Sequence, residues 1–176
     1  MAKTKREKPS LAKYSVPRYW PTWLLLAFMK LVAHLPFWLQ IRIGQAIGYL
    51  TFLLVRKRRH ICEVNLKLCY PELNYGELQN LVKKTFMSNG IGLIETAIAW
   101  HRHPIEYKSK VSVSGLENLD SAISEGRGVL LICAHFTTLE FGGFLLSLFH
   151  KMNVTYRPFK NPLFNLAMLN GRSRHY

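Results

Sequence analysis

Apolar positions are densest between Tyr19 and Ile41, where the chain reads Tyr-Trp-Pro-Thr-Trp-Leu-Leu-Leu-Ala-Phe-Met-Lys-Leu-Val-Ala-His-Leu-Pro-Phe-Trp-Leu-Gln-Ile. A bilayer-spanning helix needs about 20 such residues, so this stretch is long enough to cross. Trp20, Trp23 and Trp38 sit near its ends, where aromatic rings favour the membrane–water boundary. Lys30, His34 and Pro36 interrupt it, so a kink at Pro36 with an interfacial or re-entrant course is the second arrangement. A buried core helix is the plain alternative. It is not a cleavable signal peptide, because the apolar stretch is too long and no small-residue cleavage site follows. A second apolar stretch, Ile43 to Val55, is too short to span and runs into Arg56-Lys57-Arg58-Arg59.

Helical spacing continues from His60 to Tyr70, and Pro71 ends it. Asn74-Tyr75-Gly76-Glu77 has the spacing of an N-cap with a reciprocating Glu. The helix it opens carries Leu78, Leu81, Val82 and Phe86 on one face and runs on through Ile91, Ile94 and Ile98 to Trp100, with Asn89-Gly90 as a point where it could break. Pro104 stops it. The period then changes. Residues 107–114 alternate as a strand, Leu116 to Ser124 suits a short helix, and Gly126-Arg127-Gly128 turns into the apolar strand Val129–Ala134. A helix from Thr137 to Phe149, a strand at Asn153–Arg157 and a helix at Pro162–Leu169 follow. This alternation predicts an α/β fold: an N-terminal membrane-associated helix and helical region, then a mostly parallel sheet with flanking helices.

Charge sharpens the division. Residues 1–60 hold 12 of the 24 Lys and Arg but one of the 10 acids, a net +11 out of +14. A basic, aromatic-rich N-terminal third predicts contact with an anionic surface, phospholipid or nucleic acid. Absence of a helix-turn-helix or RNP signature argues against nucleic acid. The three cysteines, Cys62, Cys69 and Cys133, lack metal-ligand spacing and read as small buried residues in a reducing compartment. No Walker A, GxGxxG, CxxC or GxSxG pattern occurs.

The candidate chemistry lies in Cys133-Ala134-His135-Phe136-Thr137-Thr138-Leu139-Glu140. Here a histidine ends an apolar strand and a glutamate follows five positions later, just inside a helix. Such a His can act as a general base if a carboxylate fixes its tautomer and balances the imidazolium. The same letters also fit a capping box with Thr137 at the N-cap and Glu140 at N3, which would leave His135 an ordinary loop residue. Arg157, at a strand end in Tyr156-Arg157-Pro158, and Arg172 and Arg174 in Gly171-Arg172-Ser173-Arg174 offer forks for phosphate or an oxyanion. Each is equally at home on a solvated surface.

Taken in order, these residues resemble a family. His135-x4-Glu140, Tyr156-Arg157-Pro158-x2-Asn161-Pro162 and Gly171-Arg172-x-Arg174 are similar to blocks of the lipid A biosynthesis acyltransferases, within the lysophospholipid acyltransferase superfamily. Tyr19-Trp20-Pro21-Thr22-Trp23, Asn65-Leu66-Lys67-Leu68-Cys69-Tyr70-Pro71-Glu72-Leu73 and Gly92-Leu93-Ile94-Glu95-Thr96-Ala97-x-Ala99-Trp100 resemble that group too, most closely its lauroyltransferase branch. The resemblance implies transfer of an acyl chain, lauroyl by that likeness, from acyl carrier protein to a hydroxyl of a Kdo-containing lipid A precursor. It implies His135 as base and Glu140 as its orienting acid. Arg172 would hold an oxyanion or a lipid phosphate, with Arg174 and Arg157 as further candidates. No metal or cofactor is implied beyond the carrier's phosphopantetheine arm. The expected partners are acyl carrier protein, the lipid A precursor and membrane lipids, and not nucleic acid. The expected location is the bacterial inner membrane with the catalytic part facing the cytoplasm.

The same reading divides the chain into a basic tail at 1–18, a membrane anchor and interfacial segment at 19–59, and an acyltransferase domain at 60–176. Family members continue past the Gly-Arg-x-Arg block, so the chain is expected to be an N-terminal portion with an incomplete sheet. The competing reading is a membrane-anchored, non-catalytic piece that only binds or assembles.

Overall fold

The computed structural model describes residues 11–175, so the first ten residues of the basic tail, and Tyr176, lie outside the described part. Seven helices follow one another: α1 (Trp20–Ala33), α2 (Phe37–Leu54), α3 (Arg56–Cys69), α4 (Tyr75–His101), α5 (Leu116–Ser124), α6 (Leu139–Leu146) and α7 (Pro162–Arg172). Short 3-10 turns at Leu11–Tyr14 and Pro17–Tyr19 precede them, and another, Pro104–Lys110, follows α4.

The predicted anchor is two helices rather than one. Proline disfavours helix in the residue before it, and α1 stops at Ala33, three residues short of Pro36. His34 Nδ1 bonds the Lys30 carbonyl oxygen at 2.7 Å. The α2 residue Gln40 then closes the elbow. Its Nε2 donates to the carbonyls of Val32 (3.1 Å), which also accepts from the Leu35 N–H, and of Ala33 (3.0 Å), at the end of α1. At 14 residues α1 is about 21 Å long, short of the roughly 30 Å hydrocarbon core of a bilayer. Among the described residues no single helix is long and apolar enough to cross a membrane, and α2 and α3 meet at 96° across Val55.

Helix α4 is the hub, with α1, α2, α3, α6 and α7 all packed on it. Its start matches the sequence pattern. The Asn74 side chain accepts from the Glu77 N–H at 3.0 Å, and the Glu77 carboxylate accepts from the Asn74 N–H at 2.9 Å. The helix passes Asn89-Gly90 without a break, because Gly90 serves a packing contact. A Cβ there would lie 2.1 Å from the Gly44 carbonyl oxygen, and one at Gly48 would lie 2.3 Å from that of Phe86. Glycines on both helices let the α2 and α4 backbones touch. The core is drawn from α1 (Leu26, Met29, Val32), the second half of α4 (Ile94, Ala97, Ile98, Trp100), Phe144 of α6, and Leu163 and Met168 of α7.

The expected parallel sheet is absent. Among the described residues there is no strand. Residues 104–110 coil into a 3-10 turn, and the segments at 129–134 and 153–157 run without helix or ladder. Leu130 and Ile132 are 85% and 89% exposed. A strand exists only through ladder bonds to a neighbour about 4.8 Å away. Apolar content specifies a buried face but not a partner, and neither segment has one here. The cysteine expectation also fails in part: all three are free, but Cys69 and Cys133 are exposed and Cys62 only partly buried.

Candidate active site

The loop bearing His135 is seated on α4 through Thr137. A Cβ at Gly92 would lie 2.7 Å from the Thr137 carbonyl oxygen, so only glycine admits the loop at that point. One turn back, Ser88 Oγ and Thr137 Oγ1 are 3.4 Å apart. His135 stands at the apex of a three-residue turn closed by the Phe136 N–H donating to the Ala134 carbonyl at 3.1 Å. It is exposed, and its ring makes no hydrogen bond or ion pair among the described residues.

Glu140 is engaged elsewhere. Helix α6 begins at Leu139 with Thr138 as its N-cap, and no side-chain cap bond is made there, so the Thr137/Glu140 capping box does not form. The carboxylate instead turns to α4 and α7. Oε1 accepts from Trp100 Nε1 at 2.8 Å and from Arg172 Nε at 2.8 Å, while Oε2 accepts from Arg172 Nη2 at 2.5 Å. This is the two-pronged guanidinium–carboxylate geometry that gives the strongest ion-pair hydrogen bonds. The side chains are 17% and 23% exposed. Burial pushes the Glu140 carboxyl up, but the Arg172 hydrogen bonds, the Trp100 indole and the guanidinium charge outweigh it and hold the group below the usual carboxylate range.

Close packing positions the arginine. A Cβ at Gly171 would lie 2.7 Å from the Trp100 side chain, so α7 rides directly against the indole, and Arg172 follows. Phe164 backs the same indole, with ring centroids 5.3 Å apart. Arg174 has a different task, donating from Nη1 to the Trp100 carbonyl at 3.2 Å near the end of α4. Arg157 is exposed and makes no hydrogen bond or ion pair among the described residues. The structure therefore brings Glu140 and Arg172 together, keeps Arg174 nearby on the α4 backbone, and leaves His135 and Arg157 without partners among the described residues. Trp100 is the member that spacing alone did not single out. Its only signal was a place in the Gly92-to-Trp100 block, since an indole N–H carries no charge pattern. Among the described residues no cluster of three or more His, Cys, Asp and Glu could hold a metal ion.

Comparison with known proteins agrees with the ordered blocks. The family model described as bacterial lipid A biosynthesis acyltransferase matches residues 7–176. The lipid A biosynthesis palmitoleoyltransferase of Escherichia coli (strain K12) is 35% identical over 158 residues, covering 90% of this chain and 52% of that protein. The lauroyltransferase of the same strain is 36% identical over 169 residues, covering 94% and 55%. A lipid A biosynthesis acyltransferase of Haemophilus influenzae is 33% identical over 163 residues, covering 92% and 52%. No solved structure matches. The chain belongs to the bacterial lipid A biosynthesis acyltransferase family. It spans about half the length of the curated relatives it matches.

Proposed function

We propose that this chain is part of an enzyme that transfers an acyl group, lauroyl by its likeness to that branch, from acyl carrier protein to a hydroxyl of a Kdo-containing lipid A precursor. The observation carrying this reading is the fixed Glu140–Arg172–Trp100 cluster beside a loop that presents His135 to solvent. His135 takes the proton of the acceptor hydroxyl as its oxygen attacks the thioester carbonyl. The tetrahedral intermediate then expels the carrier thiolate, which recovers the proton from the imidazolium. Thiolate is a good leaving group, so the step needs no covalent enzyme intermediate.

Glu140, anchored by Arg172 and Trp100, is the fixed carboxylate against which the exposed imidazole is oriented when substrate closes the 135–138 turn. Arg172 adds positive charge where the oxyanion or a lipid phosphate would lie, and Arg157 and Arg174 are secondary candidates for the same work. Membrane attachment is supported by exposed apolar side chains on α1 (Trp20, Leu24, Phe28, Leu31) and α2 (Phe37, Trp38, Leu54). We place the protein on the cytoplasmic face of the bacterial inner membrane, lying in the interface rather than crossing on α1 alone. The basic N-terminal third suits both anionic lipid and an acidic carrier protein.

The bare imidazole of His135 favours one second reading, a membrane-bound piece that binds without turnover. An acylation assay on the intact protein separates the two. His135→Ala is expected to lower acyl transfer at least about 10³-fold while leaving sedimentation with membranes unchanged. Normal turnover by that variant would sink the mechanism.

A further inference from the structure

A cleft of about 350 Å³ opens at the elbow between α1 and α2. His34, Phe37 and Gln40 line one wall, and Arg102, Glu106 and Lys110 line the other. None of His135, Glu140, Arg157, Arg172 or Arg174 borders it.

Its polar groups form a built but unfilled set. Gln40 is 2% exposed. Because its Nε2 donates to two α1 carbonyls, the amide orientation is determined, and Oε1 is left as a buried acceptor with no partner. Such an acceptor is costly unless something donates to it. Across the cleft, one guanidinium nitrogen of Arg102 is paired with Glu106, while Nε is buried without a partner. The Glu106 carboxylate is further held by the His103 N–H at 3.1 Å. Lys110 makes no hydrogen bond or ion pair among the described residues. His34 has one ring nitrogen on the Lys30 carbonyl, which leaves Nε2 on its other edge.

Two features define what fits. The cleft offers Lys110 and the Arg102 guanidinium, which shares one nitrogen with Glu106 and keeps Nε unpartnered, next to one unpartnered neutral acceptor, Gln40. It therefore suits a group that presents anionic oxygens and a hydroxyl together. Phe37, which lines it, is 50% exposed, and Leu31 and Trp38 on the same two helices are 65% and 63% exposed. A polar pocket bordered by exposed aromatic and aliphatic side chains matches an amphiphile, with its head in the cleft and its chains along α1 and α2.

We propose that the α1–α2 elbow is a binding site for the head group of a phosphorylated, hydroxyl-bearing lipid, with Arg102 and Lys110 on the phosphate and Gln40 accepting from the hydroxyl. The site goes beyond the acyl-transfer reading and does not depend on it. Such a head group has two sources, bulk anionic phospholipid or the acyl acceptor itself.

The test uses the intact protein and vesicles of phosphatidylglycerol, whose head carries phosphate and hydroxyls, beside vesicles of phosphatidylmethanol, which has the same charge and no hydroxyl. Lys110→Glu is expected to weaken sedimentation with phosphatidylglycerol about tenfold. Lys151→Glu, an equal charge change at another exposed lysine, is expected to weaken it less than about twofold. The unaltered protein is expected to prefer phosphatidylglycerol over phosphatidylmethanol by about threefold. Equal losses for the two lysine variants, or equal binding of the two lipids, would overturn the proposal. A second arm identifies the source. If Lys110→Glu also raises the KM for the acceptor lipid with kcat unchanged, the acceptor is the occupant. If vesicle binding falls and KM does not move, bulk lipid is.

Discussion

Ala97–Trp100 and Val129–Ala134 are both strongly apolar runs, yet the first is 1–3% exposed while Leu130 and Ile132 in the second are 85% and 89% exposed. The difference lies in where each finds its backbone hydrogen bonds. A helix satisfies them within itself, so α4 needed from its neighbours only surfaces to pack against, and α1, α6 and α7 supply them. An extended segment must find its bonds on another strand. The 129–134 run has none here, and its side chains stay in water with it. Apolar character is therefore a necessary condition for burial, and partner availability decides the outcome.

The comparison can be broken by matched substitutions. Ile98→Ala is expected to cost about 4 kcal/mol, since Ile98 is 1% exposed in the middle of the core, whereas Ile132→Ala should change stability by less than about 0.5 kcal/mol. Urea unfolding of both variants checks this, and a large cost at Ile132 would mean that the run is buried in solution. Close backbone contact gives the next effect. Gly48→Ala would put a methyl 2.3 Å from the Phe86 carbonyl oxygen and is expected to cost about 3 kcal/mol, while Gly128→Ala, with nothing within 4 Å, should be near neutral. Equal midpoints for the two alanine variants would show that α2 and α4 do not touch through their glycines.

A smaller effect concerns charge. Glu140→Gln is expected to cost about 2 kcal/mol at neutral pH, because it removes the carboxylate charge from a two-pronged, largely buried hydrogen-bonded pair with Arg172. The folded carboxyl titrates below its ordinary value of 4.5. Its contribution is therefore complete above about 4.5 and is lost as the pH falls through the depressed folded value. The stability difference between Glu140→Gln and the unaltered protein should accordingly vanish in acid. A gap that persists unchanged below that window would assign the effect to packing rather than charge.

Legibility in the sequence followed the range of the interactions. The start of α4 at Asn74 could be read because its capping groups lie three residues apart. Helix α5 matches its predicted limits, Leu116 to Ser124, and α7 starts at the predicted Pro162 with Asn161 as its cap. Gly90 was read as a possible break because glycine is a poor helix former, and the Gly44 backbone it accommodates is 46 positions away in the chain. Thr137-Thr138-Leu139-Glu140 fits a cap on local spacing. The carboxylate is used instead by Trp100 and Arg172, 40 and 32 residues distant.

By itself the sequence determined the start and cap of α4, the limits of α5, the start of α7, the basic N-terminal third, and the ordered blocks that place the chain in its family. These depend on neighbours within a few residues or on residue identities alone. Tertiary structure decided that α2 and α4 touch through glycines, that Glu140 pairs with Arg172, and that the 129–134 run has no strand beside it. Each of these is settled by groups far apart in the chain competing for the same space or the same hydrogen bonds, and no local pattern records the winner.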